Sequence, residues 1–134
     1  MNALNAAGNP VMNLQRDVDA FTRGYIMAAL WTEEDELKGK GWTALAPETL
    51  KKMMDDCAKF QRENKECLAG FNRSDEENGH DFWLTRNNHG AGFWDRYSNR
   101  EKHFYDVGEA LTEACKRFGE TWIYLGDDGK IYSN

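Results

Sequence analysis

Between His80 and Arg96 the chain gathers the side chains best suited to chemistry: His80, Asp81, Arg86, His89 and Asp95, interleaved with Trp83, Trp94 and Arg96. Two imidazoles and two carboxylates are a possible donor set for a divalent cation, and a histidine beside an aspartate suits general acid–base transfer. If the chain is an enzyme, His80, Asp81 and His89 are its catalytic candidates. The spacing matches no metal motif, however: there is no H-x-x-x-H on a helix and no C-x-x-C. The structural reading is that Asp81 pairs with Arg96, His80 caps the linker before it, and His89 is a turn residue. Gly90 and Gly92 beside His89 could cradle a phosphate through backbone N–H groups. With no helix N-terminus directly after them, they read better as turn or bulge glycines. No metal and no cofactor are expected.

A second use of the same stretch is binding. Trp83, Trp94, Tyr97 and Arg96, helped by Arg86, Arg100 and Lys102, would make a platform on which bases stack, with His89 a further binding candidate in the turn. From Leu84 to His103 four basic residues face two acidic ones, in a chain whose total charge is −6. The competing reading is that helices cover this face and the tryptophans are core.

The elements that must position these residues follow from composition and period. His80–Arg86 and Ala91–Tyr97 are aromatic runs separated by Asn87-Asn88-His89-Gly90, which predicts a β-hairpin. A loop centred on Asn88-His89 sets Trp83 opposite Trp94, Asp81 opposite Arg96 and Leu84 opposite Phe93. A one-residue slip loses all three matches. Phe82, Leu84 and Phe93 then face the core, and Trp83, Trp94 and Arg96 face outward.

Upstream, Val18, Phe21, Tyr25, Ile26, Ala29 and Leu30 recur at helical spacing from Asp17. Pro47 opens a second helix that runs through Leu50, Met53, Cys57 and Phe60 to a stop at Gly70. The two should pack as a helical hairpin, followed by a polar surface linker from Asn72 to Gly79. Downstream, Asp106 and Glu109 form a capping-box-like start to a third helix ending at Gly119. Strands over Thr121–Leu125 and Lys130–Tyr132 flank the turn Gly126-Asp127-Asp128-Gly129, which lacks the ligand pattern of a calcium loop. The expected fold is α+β: two N-terminal helices, then a β-β-α-β-β unit forming a small, mainly antiparallel sheet packed on helices. Residues 1–16 read as a flexible extension and 17–134 as one domain.

Composition narrows the partners. A net charge of −6 makes duplex DNA an improbable ligand, because such binding relies on Lys and Arg displacing counterions. No apolar run is long enough to span a bilayer and no signal peptide is evident, so no membrane association is expected. The three cysteines, Cys57, Cys67 and Cys115, are an odd number at helical positions, which fits buried thiols in a reducing, cytoplasmic setting. Glu33–Glu36 and Asp75–Glu77 are acidic runs whose relation in space sequence does not give.

The segment Gly79-His80-Asp81-Phe82-Trp83-Leu84-Thr85-Arg86-Asn87-Asn88-His89-Gly90-Ala91-Gly92-Phe93-Trp94-Asp95-Arg96 resembles one in small uncharacterised proteins of tailed bacteriophages and prophages. Thr22–Trp31 and Tyr124–Tyr132 are similar to flanking pieces of the same proteins, so the likeness covers most of the chain from Asp17 onward. The loop Ser98–Tyr105 is longer than is usual there. The resemblance implies a phage accessory protein acting in the host cytoplasm, and it brings no established activity with it. The expected function is binding of a host or phage macromolecule, a protein rather than nucleic acid, with countering of host defence as one form. The alternatives are a nucleotide- or nucleic-acid-directed enzyme using His80, Asp81 and His89, or a single-strand or nucleotide binder using Trp83 and Trp94.

Overall fold

Asp19 starts the first helix, Ala20–Thr32 (α1), by accepting the Thr22 backbone N–H at 2.8 Å. An N-cap of this kind satisfies a donor the helix itself leaves unpaired. The computed structural model describes residues 17–96 and 102–134; the expected extension 1–16 lies outside them, as do Tyr97 and Arg100. Phe21, Tyr25, Ile26, Ala28 and Ala29 of α1 are buried, as the helical period requires.

After a turn that inserts Leu37 into the core, the second long helix spans Pro47–Glu63 (α2). Its proline sits in the first turn, where a missing N–H is harmless, and Glu48 lies near the positive helix end. The helix does not run unbroken to Gly70. Asn64 interrupts it, with Nδ2 donating to the Phe60 carbonyl at 2.9 Å, and a short helix Lys65–Gly70 (α3) follows.

The largest departure from expectation comes next. Asp75–Arg86 is a helix (α4), not the linker and first strand of a hairpin. Ser74 accepts the Glu77 N–H while the Glu77 side chain accepts the Ser74 N–H, both at 3.1 Å, and Asp75, Glu76 and Glu77 crowd the first turn. This capping box with three acids at the positive helix end specifies a helix start. The signal that masked it is burial. Gly79 and the run Asp81 to Arg86 are all buried, so α4 is enclosed on nearly every side and shows no polar stripe. A short apolar run without a polar stripe does not distinguish strand from helix. The expected second strand is a loop closing on a 3₁₀ turn, Phe93–Asp95.

The last helix, Lys102–Phe118 (α5), begins before the expected cap. Asp106 lies within it and pairs with Lys102 one turn back, Nζ to Oδ2 at 2.8 Å. Gly119 follows at φ 74°, a left-handed stop that glycine adopts freely. Among the described residues the sheet has two strands, Ile123–Leu125 (β1) and Ile131–Ser133 (β2), paired antiparallel with Tyr124 opposite Tyr132. The fold is thus α+β, mostly helical with one small antiparallel pair; the β-β-α-β-β order is not found. Strand β2 is tied to the start of α2, where the Ala46 N–H and the Thr49 hydroxyl both donate to the Ile131 carbonyl.

Helix α1 packs chiefly on α4, and less on its expected hairpin partner α2. Two glycines permit that crossing. A Cβ on Gly24 would overlap the Glu76 carbonyl oxygen, and one on Gly79 would overlap the Phe21 carbonyl oxygen. The backbones therefore touch where a side chain would hold them apart. Around the crossing the rings of Phe21, Tyr25, Phe60, Phe82 and Trp83 form the core, with Phe60 and Phe82 stacked at 4.1 Å. Among the described residues no helix is long and apolar enough to cross a membrane.

Candidate functional site

Helix α4 sends the site residues of the sequence in three directions. Asp81 points to the loop that returns after the helix. Its carboxylate is fully buried and accepts from Arg96 through Nη2 at 2.9 Å and Nε at 3.2 Å. Arg73 approaches the same carboxylate at 3.6 Å and reaches Glu77 at 3.3 Å. The pairing of Asp81 with Arg96 therefore forms, but between a helix and a 3₁₀ turn rather than across two strands. The Asp81 hydrogen bonds hold the Arg96 guanidinium above its ordinary range against the opposing effect of burial. Among the described residues the buried Nε of Arg73 has no hydrogen-bond partner.

Arg86 leaves from the opposite side of the helix. Its guanidinium is buried and donates to the Gly119 and Phe118 carbonyls, the Tyr25 hydroxyl at 3.1 Å and the Asp56 carboxylate at 2.9 Å. It closes the exposed carbonyl end of α5 onto α1 and α2. A planar group with five donors in a fixed fork suits that task.

Trp83 is fully buried, contrary to its expected outward place. Its Nε1 donates to the Thr32 hydroxyl at 2.8 Å, and its ring meets Tyr25 edge-on. Trp94 is 43% exposed and does not pair with it. A platform of Trp83 and Trp94 is therefore not formed, because helical geometry turns Trp83 toward α1.

His80 and His89 do come together with Arg96. They line a cleft of about 500 Å³ whose other walls include Trp31, Thr32 and Leu84. His80 stacks on Trp31 with ring centroids 6.1 Å apart, and His89 lies over the buried Trp83 at 6.5 Å. His89 sits in the turn that ends α4, between Asn88 and Gly90, both at positive φ, with Nε2 3.7 Å from Glu33 Oε1. His80 caps nothing; it is mid-helix. Burial pushes its imidazole below the ordinary value, Asp81 opposes this, and Arg96 and Arg73 add to it. Asp81 is held by two arginines, and among the described residues no carboxylate is hydrogen-bonded to His80 to form an acid–base dyad. Among the described residues no three His, Cys, Asp or Glu side chains gather as a metal-ligand set.

The residue that sequence reasoning missed is Trp31. It is 64% exposed at the C-terminal end of α1, with Met27 one turn away also exposed. Met27 and Trp31 lie one turn apart on α1 away from its core stripe, while Gly24, one turn before Met27, is buried at the crossing with α4. Two large apolar side chains on the wrong face of an amphipathic helix were the available signal. Comparison with protein-family models, curated proteins and solved structures gives no match.

Proposed function

We propose that this chain is a small accessory protein of the kind phages encode, acting by binding a macromolecular partner, a protein rather than nucleic acid, through the outer face of α1. The observation that carries the reading is Trp31: a large aromatic ring, 64% exposed, held in place by His80 stacked against it. Tryptophans of this kind dominate the energetics of protein interfaces, where a preset ring loses little freedom on binding. Met27 extends the apolar surface, and the cleft of Leu84, His80 and His89 beside it offers depth. The other site residues of the sequence support this face from behind: Asp81 fixes Arg96, and Trp83 lies under His89.

The test is positional cross-linking. A photoreactive p-benzoylphenylalanine in place of Met27 should capture a discrete protein in bacterial lysate, and the same probe in place of exposed Ala58 on α2 should not. The adduct should disappear when Trp31→Ala is added. Equal capture from both positions, or capture indifferent to Trp31, would remove the reading.

A further inference from the structure

The cleft beside Trp31 is lined by two polar side chains that the fold leaves unused. They are His80 and His89, and among the described residues no ring nitrogen of either makes a hydrogen bond. Glu33 stays 3.7 Å from the His89 ring, beyond hydrogen-bond reach. The Thr32 hydroxyl, by contrast, is already spent: it accepts from Trp83 and donates to the Ala29 carbonyl. A neutral imidazole offers one donor and one acceptor, and burial with Arg96 and Arg73 nearby keeps His80 neutral. Beside these nitrogens the lining is apolar or aromatic, with Leu84, Ala91 and the Trp31 ring stacked on His80.

This lining rejects most occupants. It holds no Asp or Glu, so an entering Lys or Arg finds no counter-charge. Its one guanidinium, Arg96, is held by Asp81 at 2.9 Å and lies 3.6 Å from Asp95, which leaves little attraction for a carboxylate or a phosphate. An aliphatic side chain would displace water and strand the imidazole nitrogens, which is costly for buried polar groups. A tryptophan or tyrosine meets both demands, with a flat apolar face for Trp31 and Leu84 and one polar handle for an imidazole. At about 500 Å³ the cleft has room for such a ring.

We infer that the partner bound at the α1 face inserts a tryptophan or tyrosine side chain into this cleft, its ring against Trp31 and Leu84 and its N–H or O–H on a ring nitrogen of His80 or His89. This rests on the reading of α1 as a binding face and adds what the partner contributes. Aromatic anchors of this kind pair across interfaces with residues that are themselves anchors, here Trp31.

The experiment uses the full chain with isotope-labelled histidine. Its three imidazoles give three resonances, assigned by their loss in His80→Phe and His89→Phe. His103, which lies against the Gly70 carbonyl and does not line the cleft, is the internal control. The probes are the N-acetyl amides of Trp, Tyr, Phe, Leu and Arg, and adenosine. The Trp and Tyr amides should move His80 and His89 saturably at about millimolar concentration, the scale of a single side chain, and leave His103 in place. The Phe amide should bind about fivefold more weakly than the Tyr amide, the effect of one lost hydrogen bond. The double variant His80→Phe, His89→Phe keeps both rings and should abolish that preference while His103 and the melting temperature report an intact fold. If the double variant unfolds, the Tyr-to-Phe ratio in the native chain decides alone.

A Leu or Arg amide that binds as tightly as Tyr, a Tyr amide no better than Phe, or imidazoles that no probe moves would overturn the inference. Adenosine binding more tightly than either aromatic amide would overturn it too and assign the cleft to a nucleobase. If Met27 still cross-links through Trp31 while the amides fail, only the inserted side chain falls. If the amides bind and Met27 captures nothing, the protein partner falls and the cleft is a small-molecule site. If neither occurs, both readings fall.

Discussion

Replacing Gly79 by alanine sets two effects of opposite sign against each other. In an ordinary helix interior the change gains about 1 kcal/mol of intrinsic propensity. Here the new Cβ would overlap the Phe21 carbonyl oxygen and lie 2.7 Å from its carbon, with backbone on both sides and no side chain to rotate away. Relief requires α1 and α4 to separate by roughly 1 Å, and a gap of that size forfeits up to about half of the dispersion between facing atoms. Overpacking in a core costs about 1–3 kcal/mol, occasionally more, and a rigid backbone clash belongs at or above the top of that range.

After subtracting the propensity gain, the net loss for Gly79→Ala is about 2–4 kcal/mol. For a chain of this size that is a fall in melting temperature of about 6–20 °C, measurable by circular dichroism or calorimetry. Gly24→Ala, which meets the Glu76 carbonyl from the other side, should fall with it. Gly70→Ala is the control: its Cβ would sit 3.5 Å from the His103 ring, an ordinary contact, and stability should stay within about 1 kcal/mol. Unchanged or higher stability for Gly79→Ala would refute the close crossing, and with it the placement of Met27 and Trp31 on the outer face of α1.

Arg86→Met should cost about 2–4 kcal/mol in urea unfolding, since it strands two part-buried carbonyls, the buried Tyr25 hydroxyl and the Asp56 carboxylate together; a cost below 1 kcal/mol would mean that α5 is not closed by this residue. In the native protein a thiol reagent should modify Cys67 alone, because Cys57 and Cys115 are fully buried and burial pushes both of their thiols well above the usual range. Rapid labelling of all three would contradict the packing of α2 and α5. His80 should titrate below 6.5 by NMR, and its lowered value means that the unfolded chain binds the extra proton first. Its contribution to stability is therefore complete above pH 6.5 and is lost as pH falls below it. Trp31→Ala, by admitting water to the ring, should move that titration back up; no change would separate the two side chains.

Much of the architecture was open to one-dimensional reading. The apolar period of α1 and α2, Pro47 at a helix start, Gly119 at a helix end and the Gly126–Gly129 turn are local signals, each with a cause inside a few residues. The helix α4 was in principle as legible, since Ser74 and Glu77 form a capping box, yet eight buried residues within it hid the period that normally distinguishes helix from strand. Gly79 misled in the same direction, being a poor helix former retained for the closeness it allows.

By itself the sequence determined which residues carry charge and aromatic area, where α2 starts and α5 stops, and that Asp81 and Arg96 would pair. The last held even though the elements joining them were misread, because opposite charges within fifteen residues find each other through several backbone geometries. Tertiary structure alone decided which face each side chain took. A helix turns 100° per residue where a strand turns 180°, so one change of element sent Trp83 into the core, Arg86 to the far side and His80 to Trp31. It also decided that Glu34 and the run Asp75 to Glu77, some forty residues apart in sequence, line depressions that share Met27. That depends on α1 crossing α4 at two glycines, a contact made in space and encoded in neither segment alone.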